Sequence, residues 1–483
     1  MMELFIITLI VFFSTSSLIA FASRKLMGKG FTEFTVAGYR LGGFLSAMTY
    51  AATTYSAFMM VGLVGLSFAT GVAALGFELV YLVATIGILV SVGPTIWMKA
   101  RSRRWVSPSE MLGDLYGSKA LASAIAILYL LALTPYLAAQ FKGVGEIFQA
   151  LGIDYTVGVT FMAITTFLWI AIAGIWSVAT SDAFQGLWMI VTSIVLVTWI
   201  VMVMLPDSGL DVSRALVMLT NTSNGNILGF RWTINMFLGL SIPWIFFALT
   251  NPQVVQRLYI PRDIKAYRRM VRYFSIYGFI YTIVCVFLGL VFRSYVAISL
   301  PHLEKILISS RDSVTPTVLL YTHPILASTV FVGIVAAAIS TSNSIVLSVA
   351  SCIAKDLYTA YSKKASESRA ILVTYISIVL MIAIASVIAI QRIAYIVELS
   401  VTSSAILIPI APITLIGLYR EPKRRGLLYA VSSLAIGLTI MVIAIIQLGP
   451  SRALTAPFIG APAPLWCLIA SSIPLLIMLL KNR

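Results

Sequence analysis

Long apolar runs alternate with short polar, basic segments along the whole chain. Windows of about twenty apolar residues, the length that crosses a bilayer, fall at 3–23, 42–70, 73–98, 121–148, 156–177, 183–205, 231–255, 270–296, 324–354, 369–391, 398–419, 426–448 and 459–480. The pattern predicts an all-α polytopic membrane protein with about thirteen transmembrane helices. Two runs are interrupted. The run 42–70 carries Thr53, Thr54, Tyr55 and Ser56 at mid-membrane, and the run 231–255 ends in Thr250, Asn251, Pro252 and Gln253. Pro252 removes a backbone donor and clashes with the preceding turn, so a helix break is expected there. The interruptions lie five spans apart. Two five-helix halves, each opening with a broken helix, must run in opposite orientations because five is odd. That is the pattern of an inverted-repeat transporter whose site lies at the breaks.

Within the run 324–354, Ala337, Ser340, Thr341, Ser344, Ser348 and Ser351 recur at spacings of three and four, which places them on one helical face. Small hydroxyl residues serve close helix packing in membranes. They also suit a hard cation, which takes oxygen ligands from hydroxyls and carbonyls.

Composition agrees with the membrane reading: of 483 residues, 60% are hydrophobic and 10% charged. The net charge of +16 does not indicate a nucleic-acid partner, because 25 of the 33 Lys and Arg residues lie in the alternate segments 24–41, 99–120, 256–272, 355–369, 420–425 and 481–483. By the positive-inside rule these face the cytoplasm, which puts the N-terminus outside a plasma membrane and the C-terminus inside. Glu3 precedes the first apolar run and Arg24 and Lys25 follow it, the reverse of a signal peptide, so a retained helix is expected. Cys285, Cys352 and Cys467 lie inside apolar runs without metal-ligand or disulfide spacing. His302 and His323 carry no catalytic motif around them, and no phosphate-binding glycine loop is present, so an enzyme or an ATP-driven pump is the weakest reading.

Four motifs then carry a resemblance. FTVAGYRLGG at 34–43, TSDAFQ at 180–185, NPQVVQR at 251–257 and AAAISTSNSIVLSVASCIAKDLY at 336–358 occur in that order on the expected spans. Together they resemble the sodium:solute symporters, a family that includes bacterial proline, pantothenate, sialic acid and sodium/galactose transporters. The resemblance implies the leucine-transporter-like 5+5 inverted repeat. Residues 42–205 would form the first five-helix repeat and 206–419 the second, with 1–41 and 420–483 peripheral. It also implies Na⁺-coupled symport of a small organic solute, such as an amino acid, a carboxylate or a vitamin-like molecule, by a monomer in a lipid bilayer with no organic cofactor. The main Na⁺ site would use the backbones of Ala52, Tyr55 and Ala337 and the hydroxyls of Ser340 and Thr341. A second cation site, by analogy with the sialic acid transporter, would use Asp182, Ser340, Asn343 and Ser344; helix capping by Ser181 or Asp182 is the competing explanation. A proton-coupled relative using Glu78 or Asp182 is the alternative.

For the solute, Glu78 matches a glutamate that contacts sugar in the galactose transporter, and an ionisable group within a span is a functional candidate by default. Tyr81 replaces a serine of that transporter, Met59 a glutamine and Gly278 a lysine, so sugar is disfavoured. Thr54 replaces the aspartate of the proline transporter. Asn251 matches a substrate-contacting asparagine, and Gln253 follows where a gating aromatic is expected. The expected pocket combines Thr54, Tyr55, Phe58, Met59, Glu78, Tyr81, Asn251 and Gln253. Lys142 and Glu146, at i and i+4 close to the outer end of their span, are expected to form a mutual ion pair or to snorkel to the interface. Glu398 lies near a family substrate position, and the outer loop 297–323 has no assigned role.

Overall fold

A computed structural model describes residues 1–222, 225–362 and 366–481, apart from the side chains of 172–173. Because a bilayer offers no water to backbone amides, apolar runs of this length close their hydrogen bonds internally as helices. No strand forms among the described residues. The helices that matter below are α1 (Met2–Ser23), α2 (Gly43–Thr54), α3 (Phe58–Thr70), α4 (Ala73–Ser91), α5 (Lys119–Ala150), α6 (Tyr155–Trp199), α7 (Ile234–Ile245), α8 (Pro252–Tyr259), α9 (Ile264–Ser299), α10 (Pro324–Ile353), α11 (Glu367–Gln391), α12 (Ile396–Ile406) and α13 (Ile410–Arg420).

Nine helices and two bent pairs, α2–α3 and α12–α13, are long and apolar enough to cross a membrane among the described residues. Eleven of the thirteen expected spans meet this measure. The windows 156–177 and 231–255 are present as the shorter apolar helices Tyr155–Ala171 and Ile234–Ile245. Each is cut short by a local break. Gly174 takes φ +54 inside α6, a left-handed geometry that only glycine adopts at low cost, and α7 ends at Phe246. The expected connection at 178–182 is not a loop; α6 runs through it.

Both predicted breaks form. Tyr55 is extended (φ −92, ψ 102) between α2 and α3, which bend by 48°. Asn251 is extended (φ −90, ψ 116), the geometry that a following proline imposes, and Pro252 then occupies the first turn of α8. The second break is double, since Phe247–Thr250 forms a separate turn between α7 and α8. Side chains stabilise the first break by satisfying amides that a continuous helix would have used. Ala57 N donates to Gln140 Oε1 on α5 (3.1 Å), and Phe58 N donates to Ser56 Oγ (3.1 Å).

At the centre stands α10, buried without interruption from residue 330 to 352. It packs against α1, α2, α5, α6, α8 and α11. Its abundance of Ala and Ser lets so many helices approach it closely.

Candidate cation and solute site

The hydroxyl face of α10 meets the broken end of α2. Ser340 Oγ donates to Ala52 O (2.9 Å) and to Ala337 O (3.0 Å); Thr341 Oγ1 lies 3.1 Å from Ala52 O and 3.3 Å from Thr53 O. Four of the five expected groups thus converge: Ala52, Ala337, Ser340 and Thr341. Tyr55 supplies the break itself, and its carbonyl has no hydrogen bond among the described residues. These are neutral oxygens, the carbonyls at the end of α2 have no helical donor, and their chemistry fits a small hard cation. The packing reading of the stripe holds further along α10. Ser344 Oγ lies 2.8 Å from Thr53 Oγ1, Ser348 Oγ donates to Gln256 Oε1, and Ser351 bonds back to Leu347 O.

One turn deeper lies a buried charge pair. Asp182 Oδ2 accepts from Thr49 Oγ1 (2.6 Å), and Arg257 donates to Thr49 Oγ1 (3.2 Å) and to Ser344 Oγ (2.7 Å). Asp182 therefore does not cap a helix: it lies well inside α6, which starts at Tyr155, and its partner is a side chain on α2. Arg257, counted above among the loop charges, is fully buried on α8. Of the expected second-site groups, Asp182 and Ser344 are drawn together through Thr49 and Arg257, while both polar atoms of the Asn343 amide and Asp182 Oδ1 have no partner.

On the other side of the α2–α3 break, aromatic rings gather around Glu78 on α4. Tyr81 lies edge-on to Tyr55 (centroids 6.5 Å) and to Trp244 (5.2 Å); Trp244 also meets Phe58 (5.4 Å) and Tyr136 (6.3 Å). The Glu78 carboxylate lies within electrostatic reach of Tyr55, Tyr81 and Tyr136. Tyr55, Phe58, Glu78 and Tyr81 are thus brought together as expected. Any side chain at 278 would collide with the Tyr55 hydroxyl, so Gly278 is what allows Tyr55 its position. Thr54 and Gln253 are buried at the two breaks with unpartnered polar atoms, and Met59 is buried on α3. Asn251 bonds instead to Thr250 and to Ser404 on α12 (3.1 Å).

A model of the sodium:solute symporter family matches residues 34–437. The chain belongs to that family. The uncharacterized symporter YodF of Bacillus subtilis is 31% identical over 140 residues, 29% of this chain and 28% of its own. The sodium/pantothenate symporter of Escherichia coli is 28% identical over 195 residues, 40% of each chain. The sodium/proline symporter of Staphylococcus aureus is 24% identical over 368 residues, 73% of this chain and 68% of its own. The matched stretches thus span less than half of the first two relatives. Among solved structures, a Na⁺-coupled sialic acid symporter in a substrate-bound outward-open state superposes with TM-score 0.76 at 18% identity, covering 98% of this chain and 96% of that one. The nucleobase-cation symporter Mhp1 gives 0.56 at 12% identity, covering 94% and 96%. At such identities the likeness establishes the fold, the leucine-transporter-like arrangement.

Within this family fold, the far end of the bundle from the basic segments carries a second charged cluster that corrects one expectation. Lys142 does not pair with Glu146. It donates to Asp312 (2.6 Å) and to Ala394 O (3.0 Å), while Glu146 accepts from Ser313 (3.2 Å). Glu398, expected near a substrate position, forms a buried ion pair with Arg311. The outer loop 297–323 folds into short helices that deliver Arg311 and Asp312 to this cluster. Tyr136 and Trp244 were missed by sequence reasoning. Each follows a proline inside an apolar run, Pro135 and Pro243, and that pairing of a helix-weakening residue with an aromatic was the available signal.

Proposed function

We propose that this membrane protein is a secondary active transporter that couples Na⁺ entry to import of a small organic solute by alternating access. The observation that carries this reading is the convergence of Ser340 and Thr341 on the Ala52 carbonyl at the end of α2. An ion seated there fixes the broken helix against α10. Ion and solute then favour the same arrangement of α2 and α3, and their affinities rise together by linkage. The basic segments face the cytoplasm, the N-terminus lies outside, residues 42–205 and 206–419 form the two inverted halves, and the chain acts as a monomer. The solute contacts Thr54, Phe58, Met59, Glu78, Tyr81, Asn251 and Gln253 between the two breaks.

The test is ion selectivity of stability on purified protein. A ligand that binds only the native state raises its melting temperature by mass action. Na⁺ is expected to stabilise the protein more than K⁺ at equal ionic strength, and this difference is expected to vanish in Ser340→Ala/Thr341→Ala. An equal response to both ions sinks the reading.

A second Na⁺ at Asp182, Ser340, Asn343 and Ser344 is supported by the free Asp182 Oδ1 and Asn343 amide. It requires Arg257 to leave Ser344, so two cations compete for one set of ligands. A Hill coefficient for Na⁺ above one that falls in Asp182→Asn supports the second ion, and a wild-type coefficient near one removes it. Proton coupling is favoured by one observation only, the unpaired Glu78 carboxylate, and predicts uptake that persists without Na⁺.

A further inference from the structure

Ten charged side chains are buried among the described residues: Glu78, Lys142, Glu146, Asp182, Arg257, Arg293, Arg311, Asp312, Asp356 and Glu398. Nine have an ionic or hydrogen-bonding partner. Lys142 meets Asp312, Arg311 meets Glu398 and Arg293 meets Glu304. Asp182 and Arg257 share Thr49, Asp356 accepts from Ser107 and Ser109, and Glu146 accepts from Ser313. Glu78 alone has neither among the described residues, and no Lys or Arg lies within electrostatic reach of it. Isolated burial of a carboxylate is costly enough that a counter-group is expected.

What surrounds Glu78 indicates the kind of counter-group. Two polar atoms in the box have no partner: the hydroxyl of Tyr81 and Nε1 of Trp244. The rings of Tyr81, Phe58 and Tyr136 surround Trp244 at centroid distances of 5.2, 5.4 and 6.3 Å. Aromatic faces attract an organic cation through the ring quadrupole, most strongly when the site is dry, and they repel an anion. A carboxylate among such rings adds charge neutralisation to that attraction. A solute carboxylate brought here would face Glu78 with no cation between them.

We infer that the solute carries a positively charged ammonium group, and that this group binds at Glu78 within the box formed by Tyr55, Tyr81, Tyr136, Phe58 and Trp244. The inference rests on the proposed reading that solute binds between the two helix breaks. It extends that reading to substrate class: amines, quaternary ammonium compounds or zwitterions are accepted, while simple monocarboxylates and neutral polyols are not. The remaining orphaned polar groups at the breaks, on Thr54 and Gln253, are then available for the solute's polar end.

The experiment is a thermal-shift and calorimetric panel on the purified full chain in Na⁺. Probes are small primary amines, amino acids, choline, glycine betaine, their uncharged isosteres such as 3,3-dimethylbutanol, and monocarboxylates such as pivalate. The expected result is stabilisation confined to ammonium-bearing probes, with at least one binding about tenfold or more tighter than its uncharged isostere. That preference is expected to disappear in Glu78→Gln and to weaken several-fold in Trp244→Leu. Binding confined to carboxylates or neutral probes overturns the inference, as does an equal preference in Glu78→Gln or the absence of any shift with every ammonium-bearing probe. If Glu78→Gln retains cation preference but abolishes a pH dependence of uptake, Glu78 carries a proton instead and the inference also fails. The two readings fail separately. Na⁺-specific stabilisation that depends on Ser340 and Thr341 keeps the symporter reading alive whatever the probes show.

Discussion

Asp312 and Glu78 are both buried carboxylates, yet their surroundings are opposite. Asp312 Oδ2 accepts from Lys142 (2.6 Å) and from Ile396 N (3.0 Å), and its neighbour Arg311 is paired with Glu398. The Tyr395 ring lies against Arg311 at 4.3 Å and Lys142 at 5.4 Å. Glu78 has rings around it and no charge beside it. The first arrangement pairs each charge with its opposite, even though Asp312 Oδ1 and Arg311 Nε have no hydrogen-bond partner, and it ties α5, the outer loop and α12 into one unit. The second leaves a carboxylate with no ionic or hydrogen-bonding partner among the described residues. Burial alone therefore does not mark a binding residue in this fold. Buried charge without a partner is what supports the proposed solute site, and the two regions are expected to respond to mutation in opposite directions.

The largest effect is expected at the completed cluster. Lys142→Met leaves Asp312 buried without its cation, a loss of about 3–5 kcal/mol when one partner of a buried pair is removed. The melting temperature of the purified protein should fall sharply, and Lys142→Met/Asp312→Leu should recover most of it, because an apolar pair carries no stranded charge. A single mutant as stable as the parent would show that this cluster is not a structural tie.

Next in size is the proposed cation site. Ser340→Ala/Thr341→Ala removes two of the oxygens at the α2 break while leaving the small-residue packing of α10 in place. The Na⁺ concentration for half-maximal uptake in proteoliposomes is expected to rise by tenfold or more, about 1.4 kcal/mol or above. An unchanged Na⁺ response would move the ion site elsewhere. The contrast with Lys142 lies in the readout: ion affinity here, stability there.

Glu78→Gln gives the opposite sign on stability. Removing an unpaired buried charge relieves a desolvation cost, so the solute-free protein is expected to gain of order 1 kcal/mol, while binding of ammonium-bearing probes is lost. A fall in melting temperature on the scale of Lys142→Met would mean that Glu78 has a structural partner and that the two carboxylates are alike.

Much of this comparison was visible in the sequence on one side only. The breaks were legible because Pro252 and the run Thr53–Thr54–Tyr55–Ser56 violate the apolar pattern locally, and the hydroxyl stripe of α10 was legible because its periodicity is local too. Partners distant in sequence were not. The sequence points Lys142 to Glu146 because i,i+4 neighbours are the pairs a sequence exhibits, whereas its actual partner lies 170 positions away. By sequence Arg257 counts as a loop charge, since nothing within α8 announces that Thr49 and Ser344 will receive its guanidinium. Asp182 resembled a helix cap because Thr-Ser-Asp is a capping composition. The chain instead takes its left-handed kink at Gly174, eight residues earlier, and carries Asp182 into the helix interior. The absence of a partner for Glu78 could not be read from sequence at all, being a property of every neighbouring helix at once.

The smallest effect is expected at the basic end, where a third arrangement of charge extends the comparison. Glu421, just past the end of α13, accepts from Arg103 and Lys99, and these hydrogen bonds hold its carboxyl down at about 2, well below its ordinary value. The side chains are only partly covered, so solvent and salt screen the pair and its contribution is about 1 kcal/mol or less. A depressed carboxyl contributes stability that is fully present above its unfolded-state value, near 4.5, and that is lost as pH falls from there through about 2. The difference in melting temperature between the parent and Glu421→Gln should therefore be small and constant from pH 7 down to about 5, and should shrink on acidification below that. It should also shrink in about 1 M salt, where the Debye length is about 3 Å, whereas the Lys142→Met deficit should not, because that pair is buried. A Glu421→Gln deficit as large and as salt-resistant as that of Lys142→Met would place the basic end among the completed buried clusters rather than the exposed ones.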